Sequence, residues 1–184
     1  MPTAHLICGS VGAGKTTYAR ALAERLRGVR FSADEWMLNL FLSDRPEPMS
    51  FAWAVERTAR CEKQMWAIGD QLLAARIDVV FDVGLSKREH RERFRARAAQ
   101  AGADSKLHYL DVDSETRRER VRERNMQAAQ PQQGRQGQLG QLGQPGQPEQ
   151  PTALIVTDAM FDWMERSFEE PDEDELIGAM IVCS

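Results

Sequence analysis

Cysteine is scarce in this chain, and the few present are scattered. Cys8, Cys61 and Cys183 are the only three in 184 residues. They are far apart and odd in number, which excludes a disulfide framework and a thiolate metal site; a reduced cytoplasmic protein is the expectation. The three histidines, His5, His90 and His108, are equally dispersed and read as structural rather than as metal ligands. No apolar run approaches the roughly 20 residues that span a bilayer, so no membrane segment is expected. The opening "MPTAHLICG" lacks the basic-then-apolar layout of a secretory leader and reads as a strand. There is no basic surplus either. The net charge of −4 argues against general binding to nucleic acid, although a local basic groove stays compatible with it.

What the chain does have is ordinary globular composition, 42% hydrophobic and 28% charged, at a length that suits one domain over residues 1–184. Short apolar runs alternate with helical periodicity. Strands are expected at 5–9, 29–33, 77–84 and 106–113, with a last one within "ELIGAMIVCS". Helices are expected at 15–27, after Asp34, at 51–76, 86–101, 114–127 and 157–168. The long helix carries a core stripe of Ala54, Thr58, Cys61, Met65, Ile68 and Leu72, and Trp66, Phe161, Trp163 and Phe168 also read as core. Ser114 reads as the cap of its helix, and Thr157 or Asp158 as the cap of the last. Strand–helix alternation implies a parallel α/β sheet covered on both faces. In 128–151, 18 of 24 residues are Gln, Gly or Pro. That composition cannot build a core and reads as a flexible insertion.

The stretch "GSVGAGKT" matches G-x-x-x-x-G-K-[ST], the P-loop. A polyphosphate needs backbone N–H donors at close range, which glycines permit, and the positive end of a following helix. The nucleotide contacts expected are Gly9, Ser10, Val11, Gly12, Ala13, Gly14, Lys15, Thr16 and Thr17. Lys15 reaches the β- and γ-phosphates, and Thr16 ligates Mg²⁺. The bound species expected is ATP or GTP.

Three further features fall at C-terminal strand ends, where open parallel sheets place ligands. Asp34 suits a base that takes a proton from a hydroxyl; the plainer alternative is a cap for the next helix. Asp82, closing "VVFD", suits an acid that holds Mg²⁺ or its water; the alternative is a solvated strand end. Arg117, Arg120 and Arg124 share a helix face and suit phosphate oxygens; the alternative is a solvated face laced with Glu115, Glu119 and Glu123. On a second face of the long helix, Trp53, Arg57 and Arg60 could hold a ring or an anion, or form an ordinary surface. Trp36 reads as core.

The stretches "CGSVGAGKTTYARALA", "RFSADEWM", "VVFDVGLSKREHRERFRARAAQAG", "LHYLDVDSETRRERVRERN" and "VTDAMFDWMERSFEEPDEDEL" together resemble the small P-loop kinases. These are the AAA-type ATP-binding proteins related to chloramphenicol phosphotransferase, zeta toxin and polynucleotide kinase. The resemblance covers most of the chain outside 128–151. It implies a P-loop NTPase three-layer fold with a parallel sheet of order 2-3-1-4-5, ATP on the P-loop and an acceptor hydroxyl near Asp34. It also implies a lid helix at 114–127 whose Arg120 and Arg124 fold over the phosphates, and it places "FEEPDEDE" near the nucleotide base. The sequence departs from the group in two places: "DVGL" stands where related kinases often carry Thr, Ser or Asn after the strand-three Asp, and the Gln/Gly/Pro segment follows the lid.

The expectation is an ATP- and Mg²⁺-dependent phosphotransferase. Asp34 is its base, Lys15 with Arg120 or Arg124 neutralises charge, and Thr16 with Asp82 holds the metal. The partner expected is a small-molecule acceptor. The alternatives are a nucleotide-dependent switch or ATPase that acts through a protein partner, and a nucleic-acid 5′-hydroxyl kinase.

Overall fold

The computed structural model describes residues 1–48, 50–129 and 155–183. Five strands, β1 (Thr3–Cys8), β2 (Val29–Ser32), β3 (Val79–Asp82), β4 (Asp104–Asp111) and β5 (Met180–Cys183), form one sheet in the order β2-β3-β1-β4-β5. Every pairing is parallel. The connecting helices are α1 (Lys15–Leu26), α2 (Ala33–Phe41), α3 (Phe51–Ala74), α4 (Arg88–Gln100), α5 (Ser114–Ala129), α6 (Asp158–Ser167) and the single turn α7 (Glu173–Leu176). The expected strand order is therefore the observed one. The Gln/Gly/Pro segment expected over 128–151 lies outside the described residues from 130 on, while 128 and 129 belong to α5.

Period-two alternation along β1 sends Ala4, Leu6 and Cys8 to one face and Ile7 to the other. The first face packs on α3 and α4 through Phe31, Trp66, Phe81 and Phe94, whose rings interlock with Trp66 and Phe81 centroids 4.4 Å apart. Cys61 and Met65 of the expected α3 stripe are buried there, and Ile68 and Leu72 are half-buried against it. The second face packs on α1 through Ala19, Leu22 and Ala23. Burying both faces explains why β3 reads as an unbroken apolar run.

Several local expectations are corrected. Ser32, not Asp34, caps α2 by accepting a hydrogen bond from the Glu35 N–H. Asp113 rather than Ser114 caps α5, since its Oδ1 accepts from the Thr116 N–H at 2.9 Å, while the Ser114 hydroxyl donates to Glu165. Of the two candidates Thr157 and Asp158, Thr157 caps α6. Trp163 is 55% exposed, whereas Phe161 on the same helix is buried. The last segment holds α7 before its strand, which is only four residues long.

Two buried polar arrangements cross the fold. Arg91 of α4 is fully buried and forms a bidentate pair with Glu175 of α7, at 2.8 and 2.7 Å. Its Nη1 donates to the carbonyls of Leu85 and Glu169. The bidentate bonds from Arg91 hold Glu175 below the usual carboxylate range. On the α1 side of the sheet, Tyr18 Oη lies 2.8 Å from His108 Nδ1, and His108 Nε2 lies 2.9 Å from His5 Nδ1. Asp78 stands 3.7 Å beyond His5 Nε2. Burial lowers both histidine pKa values, His108 to about 4.

Two outcomes follow. Arg91→Met leaves the buried Glu175 carboxylate with only the longer Arg95 contact at 3.7 Å and should cost about 3–5 kcal/mol in urea unfolding, while Arg91→Met with Glu175→Leu should recover a large part of that loss. Equal losses in the single and double variants would contradict this. The histidines bind protons more readily unfolded, near 6.5, than folded. Their contribution is thus complete above pH 6.5 and is lost as pH falls toward 4. The melting temperature should drop across that window, and less steeply in His5→Asn/His108→Asn.

Candidate active site

The phosphate loop joins β1 to α1, with Cys8 as the last strand residue and Lys15 as the first helical one. Gly14 precedes α1 at φ 88°, and no side chain caps that helix. Gly12 takes φ 80°, and a Cβ there would meet the Arg117 carbonyl oxygen at 2.5 Å. Glycine is thus required twice, once for the turn and once for close approach to α5. The Lys15 ammonium folds back to donate to the Ser10 carbonyl at 2.8 Å. Burial lowers its pKa, and the neighbouring Asp82 and Asp34 carboxylates pull it back up. Ser10 Oγ is buried without a hydrogen-bond partner among the described residues. It borders a cavity of about 80 Å³ lined also by Asp111, Arg117 and Glu165.

Asp82 ends β3 opposite Ser32 of β2 and is buried, which raises its pKa. The Thr16 side chain and the Arg30 guanidinium beside it offset part of that rise. A carboxylate and a hydroxyl at the mouth of a phosphate loop are hard oxygen donors that fit Mg²⁺, an ion usually shared between one or two protein oxygens and phosphate. Among the described residues no group of three or more Asp, Glu, His or Cys could by itself hold a metal ion.

Asp34 lies in the first turn of α2 and is exposed. Because Ser32 does the capping, the Asp34 carboxylate is not used to start the helix. Lys15 and Asp82 both feel its charge.

The expected arginine face divides. Arg117 is buried and structural: Nε donates to the Val112 carbonyl at 2.8 Å, Nη1 reaches the Val11 carbonyl of the phosphate loop at 3.4 Å, and Nη2 pairs with Glu165. Arg120 is half-buried and Arg124 exposed on the same helix. α5 is fastened to α6 by Arg118 with Asp162 (2.6 Å) and by Arg122 with Asp158 (3.3 Å). Asn125 also donates to the Val156 carbonyl and accepts its N–H. On α3, the Arg57 guanidinium sits 4.3 Å over Trp53 and 5.9 Å from Phe41, and Arg57 and Arg60 both pair with Glu56. Trp36 is half-buried against the core.

Sequence reasoning missed Arg30 and Glu35. Arg30 Nη1 donates to Asp82 Oδ2 at 3.0 Å, and Nη2 lies 2.5 Å from Glu35 Oε2. The available signal was an arginine inside an otherwise buried strand, which requires an acid partner nearby. Glu169 and Glu175 of "FEEPDEDE" engage α4 and its N-terminal approach, through Lys87, the Arg88 N–H and Arg91.

Residues 5–144 match the family described as AAA domain. No curated protein matches the chain. Among solved structures, a putative kinase from Chloroflexus aurantiacus is 17% identical, with 99% of this chain and 88% of that one covered at a TM-score of 0.66. A sugar kinase from Janibacter is 14% identical, covering 100% of this chain and 86% of that one at 0.60. The APS kinase CysC of Mycobacterium tuberculosis, in complex with AMPPNP and APS, is 18% identical over 70% of this chain and 73% of its own, at 0.52. These likenesses show a common fold. The glycine loop, the sheet order and the long sequence match agree: the chain belongs to the AAA domain family and carries the P-loop kinase fold.

Proposed function

We propose that the chain is an ATP-dependent phosphotransferase that moves the γ-phosphoryl group of ATP to a hydroxyl of a small-molecule acceptor. The observation that carries this reading is the Asp34 carboxylate, not used as a cap yet within electrostatic reach of Lys15 and Asp82. A switch needs no carboxylate in that place, whereas a kinase needs a base there.

In this reading the backbone N–H groups of residues 9–14 and the N-terminus of α1 bind the phosphates. Lys15 leaves the Ser10 carbonyl to neutralise the β- and γ-phosphates. Thr16 and Asp82 would hold Mg²⁺, which would supply charge neutralisation on the phosphate oxygens. Asp34 takes the acceptor proton, and Arg120 and Arg124 stabilise charge on the transferring group. Positioning and electrostatics supply most of the rate. Trp53, Arg57 and Arg60 wall the acceptor side. Arg57 Nε is buried without a hydrogen-bond partner among the described residues, and an acceptor oxygen would satisfy it. A small acceptor is favoured over nucleic acid because arginines along α4 to α6 are largely engaged with acids, leaving little basic surface for a phosphate backbone. Among the described residues no helix is long and apolar enough to cross a membrane. The three free thiols support a cytoplasmic setting.

Lys15→Ala should remove most of the thermal stabilisation by ATP with Mg²⁺; equal shifts in variant and wild type would sink the phosphate-loop assignment. Asp34→Asn keeps size and hydrogen bonding but cannot accept a proton. It should bind ATP like the wild type while acceptor-stimulated ADP release falls on the order of 10²–10⁴-fold. Full acceptor-dependent transfer by this variant would remove Asp34 from the chemistry.

A further inference from the structure

The charges around Asp82 alternate along a line that ends at solvent. Asp82, with its side chain 6% exposed, is held by Arg30 at 3.0 Å, and Arg30 is itself only 13% exposed. The other end of that guanidinium grips Glu35 at 2.5 Å, and Glu35 in turn takes Arg20 of α1 at 2.6 Å. Glu35 follows Asp34 directly in the first turn of α2, and its N–H is the one that Ser32 caps. A single planar side chain on β2 therefore spans two carboxylates, one ending β3 and the other starting α2.

We infer that Arg30 is a positioning residue that fixes Asp34 relative to Asp82, the acceptor side of the site relative to its metal side. The inference rests on the reading that Asp82 faces Mg²⁺ and Asp34 faces the acceptor. The guanidinium fork makes the bridge possible, since its two Nη atoms bond different partners at once in a fixed plane. Lysine has the same charge but only a point donor, so it can hold one carboxylate and not set the angle between both. The Arg30–Asp82 half of the bridge is shielded from water, so its Coulomb attraction is screened far less than that of a surface pair, while the Glu35 end, 39% exposed, contributes mainly through the geometry of its hydrogen bond. Whatever aligns Asp82 thereby also aligns the first turn of α2, and the coupling works in both directions. Arg20 completes the line on the exposed side; with its side chain 64% exposed, it contributes little by itself.

The test compares wild type with Arg30→Met, Arg30→Lys and Glu35→Gln. Three quantities are read: ADP affinity without metal, Mg²⁺ affinity in the presence of ADP by calorimetry, and kcat against KM for ADP release from ATP in the presence of a pool of hydroxyl compounds that stimulates the wild type. All variants should bind metal-free ADP like the wild type, because the phosphate loop is untouched. Arg30→Met should lose about 10–100-fold in Mg²⁺ affinity, the usual effect of removing a partner that orients a metal-holding carboxylate. Arg30→Lys and Glu35→Gln should keep Mg²⁺ affinity within about threefold yet lose kcat by about tenfold or more, with KM for ATP little changed. Should Arg30→Met fail to fold with Asp82 unpaired, the Lys and Gln variants decide the matter alone. Wild-type kcat in both of them would overturn the bridge, and so would unchanged Mg²⁺ affinity in a folded Arg30→Met. If Mg²⁺ adds nothing to ADP binding in the wild type, the Thr16–Asp82 metal assignment fails and the bridge falls with it. A wild-type Mg²⁺ response that all three variants share overturns the bridge and leaves the phosphotransferase reading standing.

Discussion

The guanidinium of Arg91 is the point on which the rest of the molecule is hung. It is fully buried, takes both oxygens of Glu175, and bonds the carbonyls of Leu85 and Glu169. Leu85 belongs to the loop that leaves β3, and its carbonyl also accepts the Cys8 thiol at 3.3 Å. Cys8 is the residue before the phosphate loop. The loop after β3, the start of the phosphate loop and the segment before β5 therefore meet at one cation. A buried ion pair is weak evidence for net stability, because desolvation offsets much of the attraction, but losing one partner is expensive. Its effect is on geometry: three loops at the same end of the sheet cannot drift apart without stranding a charge.

That end of the sheet is where charge is concentrated for use. Lys15, Asp82, Arg30, Glu35 and Arg20 alternate in sign, and the innermost members are desolvated. Such an array is suited to receiving a polyanion. Phosphate charge can replace the Ser10 carbonyl as the partner of Lys15, and Asp82 with Thr16 already supplies oxygen donors beside it. α5 is brought to the same place by backbone packing, since the Arg117 carbonyl rests on Gly12 and the Arg117 side chain bonds Val11 and Val112. The helix that carries Arg120 and Arg124 is thus anchored to the phosphate loop at its first turns.

Much of this was legible in the residues. The glycine loop, the buried β3 run ending in Asp82 and the α3 stripe follow from local spacing, because each depends on neighbours in sequence. The strand order is different in kind: it came from the family resemblance and not from any spacing. What escaped reading depends on contacts across the fold. Ser32 and Asp34 are both competent caps, and only the chain direction out of β2 selects Ser32. Asp113 and Ser114 present the same ambiguity at α5. Arg117 looks like its neighbours Arg120 and Arg124 on a helical face, yet it lies where α5 crosses the phosphate loop. Trp163 has the period of a core residue on a helix whose buried face is narrow, and Phe161 takes the inward position. The Arg91–Glu175 and Arg30–Asp82 pairs join residues 84 and 52 positions apart, a distance at which a charged residue gives no sign of its partner.

The central claim is that phosphoryl groups leave ATP for an acceptor hydroxyl and not for water. Its most direct measurement follows the fate of the γ-phosphorus in ATP labelled at that position, incubated with the protein, Mg²⁺ and pools of hydroxyl compounds. The account predicts label in a phosphate ester from at least one pool, formed by the wild type and strongly reduced with Asp34→Asn. Label appearing only as inorganic phosphate from every pool, at a rate that no pool changes, would contradict it.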